Sequence, residues 1–185
     1  MILEFPNYLS SDIVKKIRGS VKPFIDPSKP TEYNRDGYTV NISETPELKE
    51  LDNELHAIFI DIQENIVKQR YCPSFNSGDT GYEYHFYRPN DICRYHSDGE
   101  VPALHDPTKQ HSLLRYASVV LHLNTVTEGG ELVFPNQNKS IKTEEGKLVV
   151  FPPYGMYAHY TTPSNQEREV VVSWFVYSGL TVSRT

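Results

Sequence analysis

Cysteine and tryptophan are scarce in this chain of 185 residues, which has two cysteines, Cys72 and Cys93, and one tryptophan, Trp174. Two thiols cannot build the disulfide framework of a small secreted domain, so a reduced, cytoplasmic setting is expected. No run of about 18 apolar residues exists, and no segment therefore reads as a membrane-spanning helix. The opening stretch, MILEFPNYLSSDIVKK, has no basic segment leading into an apolar one, so no secretory signal is expected. An excess of positive charge is also missing. The net charge of -6 argues against a broad nucleic-acid footprint, which needs a basic surface to displace counterions from phosphates. No internal repeat or break in composition divides the chain, and a single domain with a sizeable core is expected over 1–185.

Tyrosine, by contrast, is abundant, with 13 residues. Two helices are expected early, within a supporting region over about 10–70. The first is capped by Ser10 or Ser11, runs to about Gly19, and turns Ile13, Val14 and Ile17 toward the core. The second has Thr45 as its N-cap, Pro46 in the first helical position and Glu47 in the first turn. Apolar residues then recur at Leu48, Leu51, Leu55, Ile58, Ile62 and Ile66, the stripe of a helix lying on a sheet. From about residue 82 the pattern changes to β-rich runs at 82–88, 117–123, 131–134, 147–151 and 169–177, separated by Gly, Pro, Asn and Ser clusters. The expected class is α+β and mainly β: a sandwich or barrel over about 82–178, buttressed by the helices. Residues 72–81 and 99–112 read as loops beside the site.

The segment RYHSDGE places His96 and Asp98 at i and i+2. On an extended strand both side chains leave the same face, and Gly99 lets the chain turn away. An Fe(II) site of the facial type needs one more imidazole and leaves three positions open. Alone, HxD is equally the mark of a solvated turn with a capping aspartate. The second histidine is His159 in YAHYTTP, beyond GGELVFP and GKLVVFPP. Nine residues later Arg168 opens the strand EVVVSWFVY. A basic residue heading a buried strand is costly to desolvate unless it stays at the wet end of the strand or meets an anion. A dicarboxylate would be a bidentate partner for its guanidinium.

In this order — His96-x-Asp98, GGELVFP at 129–135, His159, Arg168 and Trp174 — the chain resembles the prolyl 4-hydroxylase branch of the 2-oxoglutarate/Fe(II) oxygenases. The likeness covers about 84–177, and ILEFPNYLSSD resembles that branch's opening. It implies a double-stranded β-helix (jelly-roll) core, with Fe(II) held by His96, Asp98 and His159. It also implies 2-oxoglutarate as cosubstrate, O2 as oxidant, and possible use of ascorbate. The cosubstrate would chelate the metal through its 1-carboxylate and 2-oxo group, its 5-carboxylate pairing with Arg168. Turnover would yield succinate and CO2 and hydroxylate a substrate carbon. With Asp98 in the third ligand position, hydroxylation is implied and not halogenation.

By the same resemblance, Tyr87 and His122 stand near the cosubstrate, and Arg115 and Trp174 near the target residue. Each also has a plainer reading: His122 and Tyr87 as core residues, Trp174 as core filling, and Arg115 as a solvated side chain. Strand parity puts Trp174 on the face of Arg168. Arg115, seven residues from His122, falls on the wrong face unless it sits in a loop or a bulge intervenes. Three positions depart from the branch. Cys93 stands where a tyrosine is usual, Val176 where a polar residue is, and His122 where a tyrosine is. The resemblance implies a peptidyl proline as substrate, and the departures at Cys93 and Val176, on the substrate side, leave a different residue or a small molecule as the alternative. A metal-binding jelly roll without redox activity, such as a cupin-like sensor or a Zn2+ hydrolase, would leave Arg168 without its anion. No nucleic-acid or membrane partner is expected.

Overall fold

The computed structural model describes residues 1–31, 34–71, 77–99 and 115–177. The first helix, α1 (Ser11–Val21), starts where Ser10 accepts a hydrogen bond from the Ile13 amide, and it buries Val14, Ile17 and Val21. Ile13, expected on the apolar side, is instead exposed, because the buried stripe runs one turn longer through Val21. The second helix enters through a tight turn at Pro46–Leu48 and continues as α2 (Lys49–Ile62). Thr45 takes the extended N-cap conformation, but its hydroxyl donates back to the Asn41 carbonyl rather than capping the helix. A wider π-type turn over Gln63–Val67 then adds a residue to the helical spacing. Its effect is to bury Val67 fully and leave Ile66 only partly covered.

The strands form two antiparallel sheets. Label them β1 (Leu3–Phe5), β2 (Tyr38–Asn41), β3 (Ser77–Asp79), β4 (Glu83–Tyr87), β5 (Arg115–His122), β6 (Leu132–Phe134), β7 (Lys139–Ile141), β8 (Leu148–Phe151), β9 (Tyr160–Thr161) and β10 (Arg168–Tyr177). The larger sheet runs β1-β8-β5-β10-β4-β2, with β3 pairing the far end of β10, and the smaller runs β7-β6-β9. Three strands of the larger sheet, β1, β2 and β3, come from the region before residue 82. Residues 77–79, expected as loop, form β3, because the end of β10 beyond β4 offers it a free ladder edge. Residues 72–76 and 100–114 of the expected loops lie outside the described residues.

Alternation along the central strands divides the interior in two. Val171, Phe175, Val119 and Leu121 face the helices, joining Val14, Ile17, Leu55 and Phe59 in the larger core. Val170, Val172, Val120 and Val149 face the other way, toward Leu132, Phe134 and Ile141 of the smaller sheet. The cleft between the sheets opens from this second core. Glu169 points to the helix side and is fully buried there, where Arg18 donates two hydrogen bonds to it (2.8 and 2.7 Å) and Tyr84 a third (2.6 Å). That ion pair ties α1 to the sheet beneath Arg168.

Candidate metal centre and cosubstrate cleft

His96 and His159 face each other as a hydrogen-bonded antiparallel pair: each backbone amide donates to the other's carbonyl, at 3.0 and 2.8 Å. Directly opposed residues project from the same face, and the two imidazole centroids are 4.4 Å apart. Asp98 joins them two residues on. Its Oδ1 lies 3.1 Å from His96 Nε2 and 3.9 Å from His159 Nε2. Gly99 then turns away against the 153–154 segment, donating its amide to the Pro153 carbonyl. A Cβ at Gly99 would meet that oxygen at 2.9 Å, so the turn requires glycine for close approach. A second glycine-dependent turn, at Gly129 with φ +73°, pairs with Ser164 and sends the chain into β6.

One ligand atom from each of His96, Asp98 and His159 lies within 4.8 Å of the others. Each histidine has its Nδ1 against a backbone carbonyl, Arg94 O at 2.8 Å and Tyr157 O at 3.1 Å. With Nδ1–H donating there, Nε2 is in each ring the nitrogen turned toward Asp98, free to give its lone pair to a metal once its proton is displaced. Phe134 and Phe151 pack on the His159 ring. Burial opposes charge on His96, but its hydrogen bonds to Asp98 and Cys93 outweigh that and raise its pKa to about 10. Burial also opposes ionisation of Asp98, yet the hydrogen bond from His96 and the nearby imidazoles hold it well below the usual carboxylate range. His159 is lowered by burial. Two imidazoles and one carboxylate on one face, each fixed from behind, fit a divalent first-row ion and Fe(II) in particular.

The same cleft runs to Arg168, and its lining includes Tyr87, Cys93, Val170, Val172 and Trp174 as well as the three candidate ligands. Arg168 is 5% exposed. Its Nε donates to Thr143 at 3.3 Å and its guanidinium lies 4.9 Å from the Tyr87 ring centroid, while no carboxylate pairs with it among the described residues. A buried cation without a counter-ion is suited to an anionic ligand. His122 is fully buried on the same inward parity, and neither ring nitrogen has a hydrogen-bond partner among the described residues. Burial and the positive charges of Arg168 and Lys147 push its pKa well down, so the ring is neutral and offers one N–H. These groups fit the distal carboxylate of a 2-oxo diacid.

At the other end of the cleft, the Arg115 guanidinium stacks over the Trp174 ring at 4.0 Å and donates to the Asp98 carbonyl at 2.8 Å. The parity conflict at Arg115 is resolved by a bulge. The register with β10 shifts by one residue, Phe175 facing Ala117 and Val176 facing Arg115. Tyr116 and Ala117 then both reach the helix-side core, and Arg115 returns to the cleft. Cys93 is buried, its Sγ 3.7 Å from His96 Nδ1, and Val176 is buried in register with Arg115. The sequence reading missed Arg35 and His85, which also line the cleft. The alternation Glu83, His85, Tyr87 on one strand was the available signal, and Arg35 had none.

Comparison with known proteins adds the family. A profile of the 2OG-Fe(II) oxygenase superfamily matches residues 82–176. Comparison with curated protein sequences returns no significant match. Among solved structures, a viral collagen prolyl hydroxylase from Paramecium Bursaria Chlorella virus-1, in its 2OG complex, superposes with a TM-score of 0.71 at 17% identity, covering 96% of both chains. A Pseudomonas putida prolyl-4-hydroxylase gives 0.65 at 20% identity, over 96% of this chain and 93% of that one. A Trichoplax adhaerens prolyl hydroxylase, in complex with a hypoxia inducible factor oxygen degradation domain peptide fragment, gives 0.64 at 16%, over 95% and 83%. The shared fold is the double-stranded β-helix. This chain belongs to the 2OG-Fe(II) oxygenase superfamily and is a 2-oxoglutarate-dependent dioxygenase that uses Fe(II) and O2.

Proposed function

We propose that this dioxygenase is of the prolyl 4-hydroxylase type and hydroxylates a proline residue of a peptide or protein. The observation that carries the placement of its chemistry is the buried Arg168, without a carboxylate partner among the described residues, in the cleft that also holds His96, Asp98 and His159. In this reading Fe(II) is held by those three side chains. Arg168, with the neutral His122 and Tyr87 beside it, binds the 5-carboxylate of 2-oxoglutarate. When bound, the metal and cosubstrate supply the oxidising chemistry, in which 2-oxoglutarate becomes succinate and CO2 and a substrate carbon gains one oxygen atom. The chain's own work is to fix the ligands from behind, bury the cosubstrate's charge and hold the target carbon near the metal.

The prolyl assignment is supported by the solved structures that share this fold. It is further supported by the Arg115–Trp174 stack at the substrate end, a flat apolar wall beside a polar donor. A second reading keeps the chemistry and changes the substrate to another residue or a small molecule. Cys93 and Val176 favour it, because both replace larger or more polar groups on the substrate side. Proline-rich peptides incubated with enzyme, Fe(II), ascorbate and 2-oxoglutarate should gain one oxygen on proline by mass spectrometry. Succinate formation without any oxidised proline would favour the second reading.

A further inference from the structure

Thr143 makes a polar contact that the proposed function leaves unexplained. It lies two residues beyond Ile141, whose side chain packs in the core between the sheets, and it is fully buried. Its backbone carbonyl accepts the Val126 amide at 3.1 Å, and its hydroxyl donates to the Gly130 carbonyl at 2.7 Å. That carbonyl is aimed by the paired glycines of GGELVFP. Gly129 and Gly130 both take positive φ, +73° and +70°, and a Cβ at Gly130 would press on Val126 at 3.1 Å. A threonine hydroxyl has one proton to give. With that proton spent on Gly130, the oxygen can only accept, and the Arg168 Nε–H donates to it at 3.3 Å. The Tyr87 ring lies against the same guanidinium, its centroid 4.9 Å away. A guanidinium grips a carboxylate bidentately either through Nε and one terminal nitrogen or through both terminal nitrogens. Thr143 closes the first of these edges.

We infer that Thr143 is a positioning residue: anchored on Gly130, it takes the Nε–H of Arg168, so that the guanidinium meets the cosubstrate's distal carboxylate through its two terminal nitrogens and at one depth in the cleft. The place of that fork, relative to the ligand set His96, Asp98 and His159, then sets the length of 2-oxo diacid the enzyme accepts. A longer chain is compressed between the two ends, and a shorter one leaves a buried cation unpaired. At 3.3 Å the contact is long, so its effect lies in direction more than in strength. Without the Thr143 acceptor the guanidinium would be free to follow a displaced carboxylate, and the discrimination would fall. This rests on the reading of Arg168 as the partner of the 5-carboxylate.

The test is calorimetric binding to the Fe(II)-loaded enzyme without oxygen. Three ligands are compared: 2-oxoglutarate, 2-oxoadipate with one further methylene, and 2-oxopentanoate with a methyl group in place of the distal carboxylate. Wild type should favour 2-oxoglutarate over 2-oxoadipate by about tenfold or more. Thr143→Val, of the same shape but without the acceptor, should raise the Kd for 2-oxoglutarate about three- to tenfold and leave that for 2-oxoadipate nearly unchanged, narrowing the preference by the same factor. Its Kd for 2-oxopentanoate, which offers Arg168 no carboxylate, should stay within about twofold of wild type. Thr143→Ala should match the valine variant, and Thr143→Ser, which keeps the hydroxyl, should restore both affinity and preference. A preference that survives Thr143→Val and Thr143→Ala overturns the inference. So does an equal loss for all three ligands, which would make Thr143 a packing residue alone. A wild type that binds 2-oxopentanoate as tightly as 2-oxoglutarate overturns the reading of Arg168 itself, and this inference with it.

Discussion

Replacing Arg168 by methionine separates what this residue does for the ligand from what it costs the fold. The guanidinium is 5% exposed and has one long hydrogen bond to Thr143, one aromatic face and no carboxylate partner among the described residues. Without cosubstrate, the protein therefore carries a desolvated cation with little compensation, and a methionine of similar length should leave its stability within about 1 kcal/mol of wild type. With cosubstrate, a bidentate charge-assisted pair is lost, worth roughly 3–4 kcal/mol, which converts to a Kd for 2-oxoglutarate higher by about two to three orders of magnitude. Thermal unfolding under anaerobic Fe(II) reads both effects. At about 100 times its Kd, 2-oxoglutarate stabilises wild type by about 2.7 kcal/mol, or roughly 5–10 °C in Tm for a chain of this size. The variant should unfold near the wild-type temperature without 2-oxoglutarate and show almost no shift with it, while retaining stoichiometric iron. A variant that loses several kcal/mol without ligand yet keeps the ligand shift would show that Arg168 is a structural cation, and would refute the reasoning.

Asp98→Ala should remove the carboxylate corner of the metal site. Its iron content by elemental analysis should fall from stoichiometric to near zero, and retained stoichiometric iron would refute the ligand set. Glu169→Ala leaves Arg18, Lys22 and Tyr84 facing a void where each had a carboxylate oxygen. It should cost about 3–5 kcal/mol in denaturant unfolding with an unchanged affinity for 2-oxoglutarate. The lowered pKa of His85 has a pH signature. The unfolded imidazole takes a proton near 6.5 while the folded one refuses it until about 4, so this contribution is complete above pH 6.5 and lost as pH falls toward 4. It amounts to about 3 kcal/mol over that window, and His85→Gln should flatten the acid limb of the stability profile accordingly.

The site was more legible in the sequence than the scaffold that holds it. His96, Asp98, His159 and Arg168 carry their chemistry in their side chains, and the order of the motifs brought them together. Arg115 shows the limit of parity arguments. Counting in twos gave a contradiction with two resolutions, and only the paired strand reveals the bulge that settles it. Ile13 was misplaced for a related reason: helical periodicity fixes a stripe but not its length at the ends, and after the π-type turn Ile66 still packs on the core but shares that face with the more deeply buried Val67. The short strands β1, β2, β3, β7 and β9 have too few residues for alternation to register, and they exist because neighbours offer them a ladder. Arg35 escaped because the carboxylate it meets, Glu83, is reached only across space, whereas His85 could have been read from its alternation with Glu83 and Tyr87.

The backbone pairing of His96 with His159 has a further consequence once both rings hold a common ion. The ion is then a cross-link between positions roughly 60 residues apart, closing a loop that includes β5 through β8. In the chain-entropy picture a tie of that span is worth about 4 kcal/mol, as much as a disulfide. Iron would thus serve this protein as a redox-compatible staple in a chain with almost no thiols to spare. Chelation should be felt first as accelerated unfolding and proteolysis at β6 and β7, the strands of the smaller sheet inside that loop, before β5 and β8 leave the larger sheet.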